Sequence, residues 1–152
     1  MTGMEVLDSA LKIGLGAMIS AVSAFAMLIR SQRHDKEKDA ASCFVRLREE
    51  KKTLYIEFLT QSQSLVQTYR DVPCDGQGQD YLDYLRIYNQ LQISSDDLIR
   101  KCAYELLNAV NEFIVIYTED REFYNKLRDR VDIKIGEFQF LAKNELQEIK
   151  SN

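Results

Sequence analysis

Residues 13–29 read IGLGAMISAVSAFAMLI, a run of seventeen residues without a charged side chain in a protein in which 29% of the residues are charged. At about 1.5 Å of rise per residue, a helix over this run covers about 25 Å, close to the roughly 30 Å hydrocarbon core of a bilayer. Such a helix is apolar on every side, unlike an amphipathic surface helix. The sequence therefore predicts a transmembrane helix over residues 13–30, preceded by a short tail over residues 1–12.

Two other interpretations of this run stay open. A cleaved signal peptide would explain the small-x-small sequence Ala24-Phe25-Ala26, but the tail carries Glu5 and Asp8 where a signal peptide is basic. A buried core helix would also be apolar. The span is favoured because Lys12 and Arg30 flank the run, where long cationic side chains reach the membrane surface.

The charges around the run predict an orientation. Lys12 is the only basic residue before it, whereas Arg30, Arg33, Lys36 and Lys38 follow within nine residues. Because basic flanks stay in the cytoplasm, we expect the N-terminus outside and the main body inside. Lys12, Arg30 and Arg33 are the predicted membrane-edge anchors, and membrane lipid is the first predicted partner.

Small residues in the run recur at a helical spacing. Gly16, Ser20 and Ala24 lie four residues apart, and Ser23 lies beside them. Such a ridge lets two helices approach closely in lipid, and the serine hydroxyls can bond across the contact. Small residues are also common in spans without this role. Since one span is predicted, the sharper interpretation is a homo-oligomer that self-associates through this ridge.

The remainder, residues 31–152, is predicted to be all-α, an antiparallel bundle of about four helices. No Gly or Pro interrupts residues 31–71, and a first long helix is expected over 35–70, either continuous with the span or pivoting around Ser31–His34. The loop at 72–80 holds the only Pro and two Gly. The apolar stripe of the long helix consists of Leu47, Leu54, Phe58, Leu65 and Tyr69.

Three further helices are expected after the loop. The first covers 81–91. The second begins at Ser95 as N-cap and runs to about 117, with two apolar stripes that predict a central helix packed on both sides. The stretch 113–117, FIVIY, would suit a strand but has no partner strand. Residues 118–120 are expected to cap the last helix.

Little in the sequence predicts catalysis, a metal or a cofactor. His34 is the only histidine, so no histidine cluster or Ser-His-Asp triad is expected in the bundle. The Arg-to-His motif of HEPN-type RNases is not matched, because Arg30 and His34 enclose only three residues. Cys43, Cys74 and Cys102 show no paired spacing and are predicted to be free thiols. The sequence predicts a non-enzyme.

Charge argues against nucleic acid and leaves proteins as the expected partners of the body. Residues 53–152 carry eleven Lys/Arg against seventeen Asp/Glu, so direct nucleic-acid binding is not expected. Tyr81, Tyr84 and Tyr88 share one helical face. They are predicted either to pack in the core or to form an interaction face for a cytosolic protein.

Two functional hypotheses follow. In the first, the chain is a homo-oligomeric membrane effector whose assembled spans perturb or perforate the bilayer. In the second, it is an anchored scaffold or adaptor that recruits a cytosolic partner and forms no pore. The architecture of a span followed by a helical body resembles that of small single-span proteins of bacterial defence and CRISPR-accessory type. That resemblance implies a bacterial inner membrane and a role in antiviral defence.

Overall fold

The computed structural model describes the backbone of residues 3–151 and the side chains of residues 24–149. Within these residues the chain is all-α, as predicted, and contains no strand. The FIVIY stretch is no exception, because its first three residues complete a helix. The elements are α1 (Gly3–Thr68), α2 (Gln79–Ser94), α3 (Asp97–Val115) and α4 (Arg121–Ser151).

The chain divides into two compact units, Met1–Cys43 and Phe44–Asn152. The second unit contains the helical bundle, and the division between the units falls within α1. In the first unit, α1 is helical through Ser31–His34, where the sequence left a pivot open. Every residue from 24 to 47 is exposed.

The structure describes side chains for only part of the predicted span. Residues 13–23 of the span lie outside them, whereas residues 24–30 are described. No stretch long and apolar enough to cross a membrane was found in the helices, as far as the described residues go.

The first two helices of the bundle run antiparallel. Phe58 of α1 stacks on Tyr84 of α2 with ring centroids 5.3 Å apart. Further along α1, just past its end, the Tyr69 hydroxyl lies 3.1 Å from Asp80 Oδ1, at the start of α2. Residue numbers therefore rise along α1 while those of its α2 partners fall.

The other neighbouring pairs alternate in the same way. The Lys134 ammonium of α4 donates to Glu105 of α3 at 2.8 Å, and Arg130 pairs with Glu112, further along α3. On α1, Tyr55 meets Phe138 of α4 edge to face, at 5.7 Å between ring centroids. The bundle is thus an up-down-up-down arrangement of four helical segments, as short connections favour.

The core face of α1 contains most of the predicted stripe, since Leu54 and Tyr69 also pack against the core, but it includes positions that the stripe omits. Phe58 and Leu65 are buried as expected, but Leu47 is 43% exposed. Apart from one adjacent pair, the buried residues recur at intervals of three and four, which keeps one face of a helix toward the bundle. They are Tyr55, Phe58, Ser62, Leu65 and Val66.

Helix α3 is the central helix that its two apolar stripes predicted. It packs against both α2 and α4, and the large apolar side chains that it leaves exposed are Leu98, Tyr104 and Val115. Leu98 in the first turn is 68% exposed, and Ile116 and Tyr117 lie beyond the last turn. The buried residues of α3 are Ile99, Cys102, Ala103, Leu106, Leu107, Ala109, Val110, Phe113 and Ile114.

Helix starts were predicted with mixed success. Asp120 caps α4 as expected: its Oδ1 accepts the backbone N–H of Glu122 at 2.9 Å and that of Phe123 at 3.2 Å. For α3, the prediction that Ser95 is the N-cap is wrong. Asp96 occupies that position, because the Ser95 amide still completes the last turn of α2.

Candidate functional site

The predicted span residues are only partly described. Ala24 is exposed, and so are the anchors Arg30 and Arg33. Four further predicted residues lie outside the described side chains and stay predictions: Lys12, Gly16, Ser20 and Ser23.

The predicted tyrosine face packs largely into the core. Tyr84 is fully buried against Phe58, whereas Tyr81 and Tyr88 are half-buried and contact the core from its edge. Burial raises the pKa of Tyr84, so its hydroxyl stays protonated. The arrangement favours the packing alternative that the sequence left open, and Tyr84 has no surface to offer a partner.

A buried polar cluster joins three parts of the bundle. The Glu145 carboxylate of α4, only 6% exposed, pairs with the Lys51 ammonium of α1 and accepts the Tyr55 hydroxyl. Tyr55 Oη also lies 3.0 Å from Ser95 Oγ, in the turn between α2 and α3. The cluster of Lys51, Tyr55, Ser95 and Glu145 therefore connects α1, α4 and the α2–α3 turn.

The electrostatics of this cluster indicate a structural role. Burial, followed by the hydrogen bond to the Glu145 carboxylate, raises the pKa of Tyr55, so the tyrosine acts as a neutral donor. The Lys51 ammonium compensates the carboxylate charge. Because each charged group has an internal partner, no member is free to act as a base or a nucleophile.

Sequence reasoning missed this cluster. Lys51 stands in a charged stretch whose neighbouring pairs, Arg46–Glu50 and Lys52–Glu49, lie on the helix surface, so its charge alone does not set it apart. The available signal was heptad spacing, since Lys51 precedes Tyr55 by four residues on the face that continues to Phe58. A charge on an apolar stripe points to a buried partner.

A second buried polar contact lies lower on α1. The Ser62 hydroxyl donates to the Phe58 carbonyl oxygen at 2.8 Å and lies 3.1 Å from the Tyr84 hydroxyl. Ser62 is fully buried, and these contacts satisfy it. The contact between Ser62 and Tyr84 sets the position of α2 along α1.

An open groove runs between α1 and α2 on the bundle surface. Its volume is about 750 Å³, and its apolar residues are Leu47, Leu54 and Ile93. Ile93 is 87% exposed, an unusual position for an isoleucine. Charged residues of α1 border the groove, among them the Arg46–Glu50 pair. The groove has the composition of a protein contact, with an apolar floor and a polar edge.

The α3–α4 surface carries a three-residue ion-pair group. Lys134 lies 2.8 Å from Glu105 and 2.7 Å from Glu137. Its hydrogen bond lowers the pKa of the Glu105 carboxylate, and the two carboxylates raise the pKa of the Lys134 ammonium. These shifts are those of surface ion pairs that support the α3–α4 contact.

Reactive residues are scattered rather than clustered. Burial raises the pKa of the Cys102 thiol to about 11, which keeps it protonated at neutral pH. His34 is exposed on α1 in the first unit. In the described part of the chain, no three His, Cys, Asp or Glu side chains come close enough together to hold a metal ion.

Comparison of the chain with protein-family models, with curated proteins and with solved structures found no match. Functional inference therefore depends on the residues themselves.

Proposed function

We propose that this chain is a single-pass membrane protein that self-associates through residues 13–30 and acts as a homo-oligomeric membrane effector. The observation that supports the proposal is the uncharged run 13–29, with basic residues concentrated on its C-terminal side. In this proposal the N-terminus lies outside a bacterial inner membrane and the helical bundle lies in the cytoplasm. A role in antiviral defence is what the resemblance of architecture implies.

The chemistry of the bundle is consistent with an assembly role rather than catalysis. Three of its buried polar side chains pair with one another: Lys51 forms an ion pair with Glu145, and Tyr55 donates a hydrogen bond to Glu145. The bundle therefore presents a rigid body with a surface for protein contacts. In the span, the ridge of Gly16, Ser20 and Ala24 provides the close helix contact on which assembly would depend.

The test is the mass of the full-length protein in mild detergent, measured by light scattering and corrected for bound detergent. We expect a defined oligomer, which the variant Gly16→Ile/Ala24→Ile converts to a smaller species because larger side chains separate the helices. The matched control, Met18→Ile/Val22→Ile, changes positions off the ridge and should leave the mass unchanged. A wild-type monomer would refute self-association through the span.

Pore formation needs a separate measurement. Full-length protein reconstituted in lipid vesicles should release an entrapped dye, and Gly16→Ile/Ala24→Ile should prevent release. An oligomer that leaves the vesicles intact would exclude the pore and retain the anchored assembly.

The α1–α2 groove favours a second candidate function, an anchored adaptor that recruits a cytosolic protein. The exposed Ile93 gives such a partner an apolar contact beside the charged edge of the groove. If the chain is an adaptor, Ile93→Asp should abolish its cellular effect while Gly16→Ile/Ala24→Ile leaves the effect intact. The effector proposal expects the reverse pattern.

A further inference from the structure

Helix α4 has a second regular face that points away from the bundle. Asp129, Ile133, Gly136, Phe140 and Lys143 are spaced by four, three, four and three residues, and all five are exposed. We call these five residues the α4 seam. Ile133 is 60% exposed and Phe140 is 65% exposed. This spacing is that of a surface which packs against another helix.

No contact within the described chain explains why a glycine stands at position 136, in the centre of the α4 seam. A glycine inside a helix costs about 1 kcal/mol relative to alanine. A Cβ atom built on Gly136 would meet no other atom within 4 Å, so the bundle does not require a glycine there. What a missing side chain provides at this position is room for a second helix to approach closely.

The two charged residues of the α4 seam have opposite signs and lie at equal distances on either side of Gly136. Asp129 lies seven residues before Gly136, and Lys143 lies seven residues after it. Neither side chain forms an ion pair or a hydrogen bond with any residue that the structure describes. Other charged residues along this helix, such as Arg128 and Asp132, are paired.

We propose that a second copy of this chain docks on the α4 seam, with the two α4 helices antiparallel and crossing at Gly136. A two-fold axis through Gly136 brings Asp129 of each copy to Lys143 of the other, about 10 Å along the helix from the crossing. Ile133 and Phe140 then pack between the two helices. A parallel pair is disfavoured because it would place Asp129 against Asp129 and Lys143 against Lys143.

The groove between α3 and α4 extends the apolar part of this surface. It has a volume of about 340 Å³, and Phe140 of the seam and the exposed Leu98 of α3 both line it. The partner helix would cover part of this groove beside the crossing point. The apolar contact supplies the association energy, and the two charge pairs set the antiparallel orientation.

This contact is separate from the proposed association of spans. Spans inserted in one membrane run parallel, whereas the α4 seam relates two copies by a two-fold axis perpendicular to α4. Neither contact requires the other, so the two proposals fail independently.

A zero-length carbodiimide crosslink tests the contact directly on the full-length protein in detergent. The reagent joins a carboxylate to an amine only when the two touch. Within one helix, fourteen residues place Asp129 and Lys143 about 21 Å apart, so a crosslink between them must join two molecules. Mixing nitrogen-14 and nitrogen-15 protein should yield the Asp129–Lys143 crosslink with mixed isotopes. The span variant Gly16→Ile/Ala24→Ile should retain that crosslink.

Charge reversal provides the second test. Asp129→Lys alone or Lys143→Asp alone places like charges together twice, so either should weaken association about tenfold or more. The double variant Asp129→Lys/Lys143→Asp restores both pairs and should return to within about threefold of the wild type. Glu119→Lys, an exposed loop substitution with the same change of charge as Asp129→Lys, is the matched control for that variant. Absence of the mixed-isotope crosslink, or a double variant as weak as the single ones, would overturn the proposal.

Gly136→Leu separates docking from folding. Because the position is open in the single chain, the thermal midpoint should stay the same or rise. The Asp129–Lys143 crosslink should disappear, since the leucine fills the crossing point. A retained crosslink in this variant would contradict close packing at Gly136.

Discussion

The buried pair Lys51–Glu145 allows a sharp prediction about the stability of the bundle. Side-chain exposure is 12% for Lys51 and 6% for Glu145, so both charges are largely removed from water. Removal of one partner leaves the other buried without compensation. We therefore expect Glu145→Ala and Lys51→Met each to lower the free energy of unfolding by about 3 kcal/mol or more.

The double variant Lys51→Met/Glu145→Leu should behave differently from either single one. It replaces the pair by apolar side chains of similar length and leaves no buried charge. Tyr55 retains a partner, because Ser95 Oγ lies 3.0 Å from its hydroxyl. The free energy of unfolding should then lie within about 1 kcal/mol of the wild type or above it.

The assay is urea unfolding of the full-length protein in mild detergent, followed by circular dichroism. Glu50→Ala is the matched control, since Glu50 pairs with Arg46 at 3.0 Å on the surface of the same helix, with side chains 62% and 83% exposed. It should cost no more than about 0.5 kcal/mol.

Two results would refute this reasoning. Single variants of the Lys51–Glu145 pair that cost as little as the surface control would mean that water reaches the charges. A double variant whose cost equals the sum of the single costs would mean that the two residues are not coupled.

Three further predictions concern individual side chains. Burial raises the pKa of Tyr84, so the folded state keeps a proton that the unfolded chain loses near pH 10. The contribution of Tyr84 to stability should be constant below that pH and fall above it, and alkaline unfolding at a midpoint equal to that of Tyr84→Phe would contradict this. In the native protein a thiol reagent should modify the exposed Cys43 quickly, and Cys74 and Cys102 only after denaturation; equal rates for all three would be inconsistent with the core. Asp120→Ala should lower the unfolding free energy by about 1 kcal/mol and Asp120→Asn by less, since an amide oxygen still accepts the helix amides; equal losses would exclude the cap.

Local patterns in the sequence were sufficient to predict most of the helical architecture. The unbroken run between residues 31 and 71 predicted a long helix, and the two stripes of α3 predicted its central position. Asp120 was predicted as a cap because a side-chain cap acts within three residues of its own position. These features depend on neighbours in the sequence, so a single sequence is enough to find them.

The buried polar cluster depends on contacts that local patterns cannot specify. Lys51 and Glu145 are 94 residues apart, and their pairing follows from the register between α1 and α4. The same register decides that Tyr55 and Ser62 face the core and that Leu47 does not. The predicted stripe of large apolar residues omitted Tyr55 and Ser62, because burial here includes hydroxyls that find partners on other elements of the bundle.

Gly136 shows how a structure adds information to a residue that the sequence treats as ordinary. In the sequence it is one glycine inside a helical pattern, which only lowers the expected helix stability. The structure shows that no neighbour needs the space beside it, while Ile133 and Phe140 stay exposed on either side. A cost in helix stability without an internal benefit points to a contact outside the chain.

The buried cluster also limits how the bundle can respond to a trigger. A change that displaced only one member of the Lys51–Glu145 pair would leave the other charge buried without compensation, at a cost of about 3–5 kcal/mol. A ligand or partner that opened the bundle only far enough to separate the two charges, without bringing water to them, would have to supply that free energy. A response at the surface, through the α1–α2 groove or the α4 seam, requires no such opening. Hydrogen exchange of the amides around Tyr55 should therefore be unchanged when copies associate, whereas the amides of α4 beside Gly136 should become more protected.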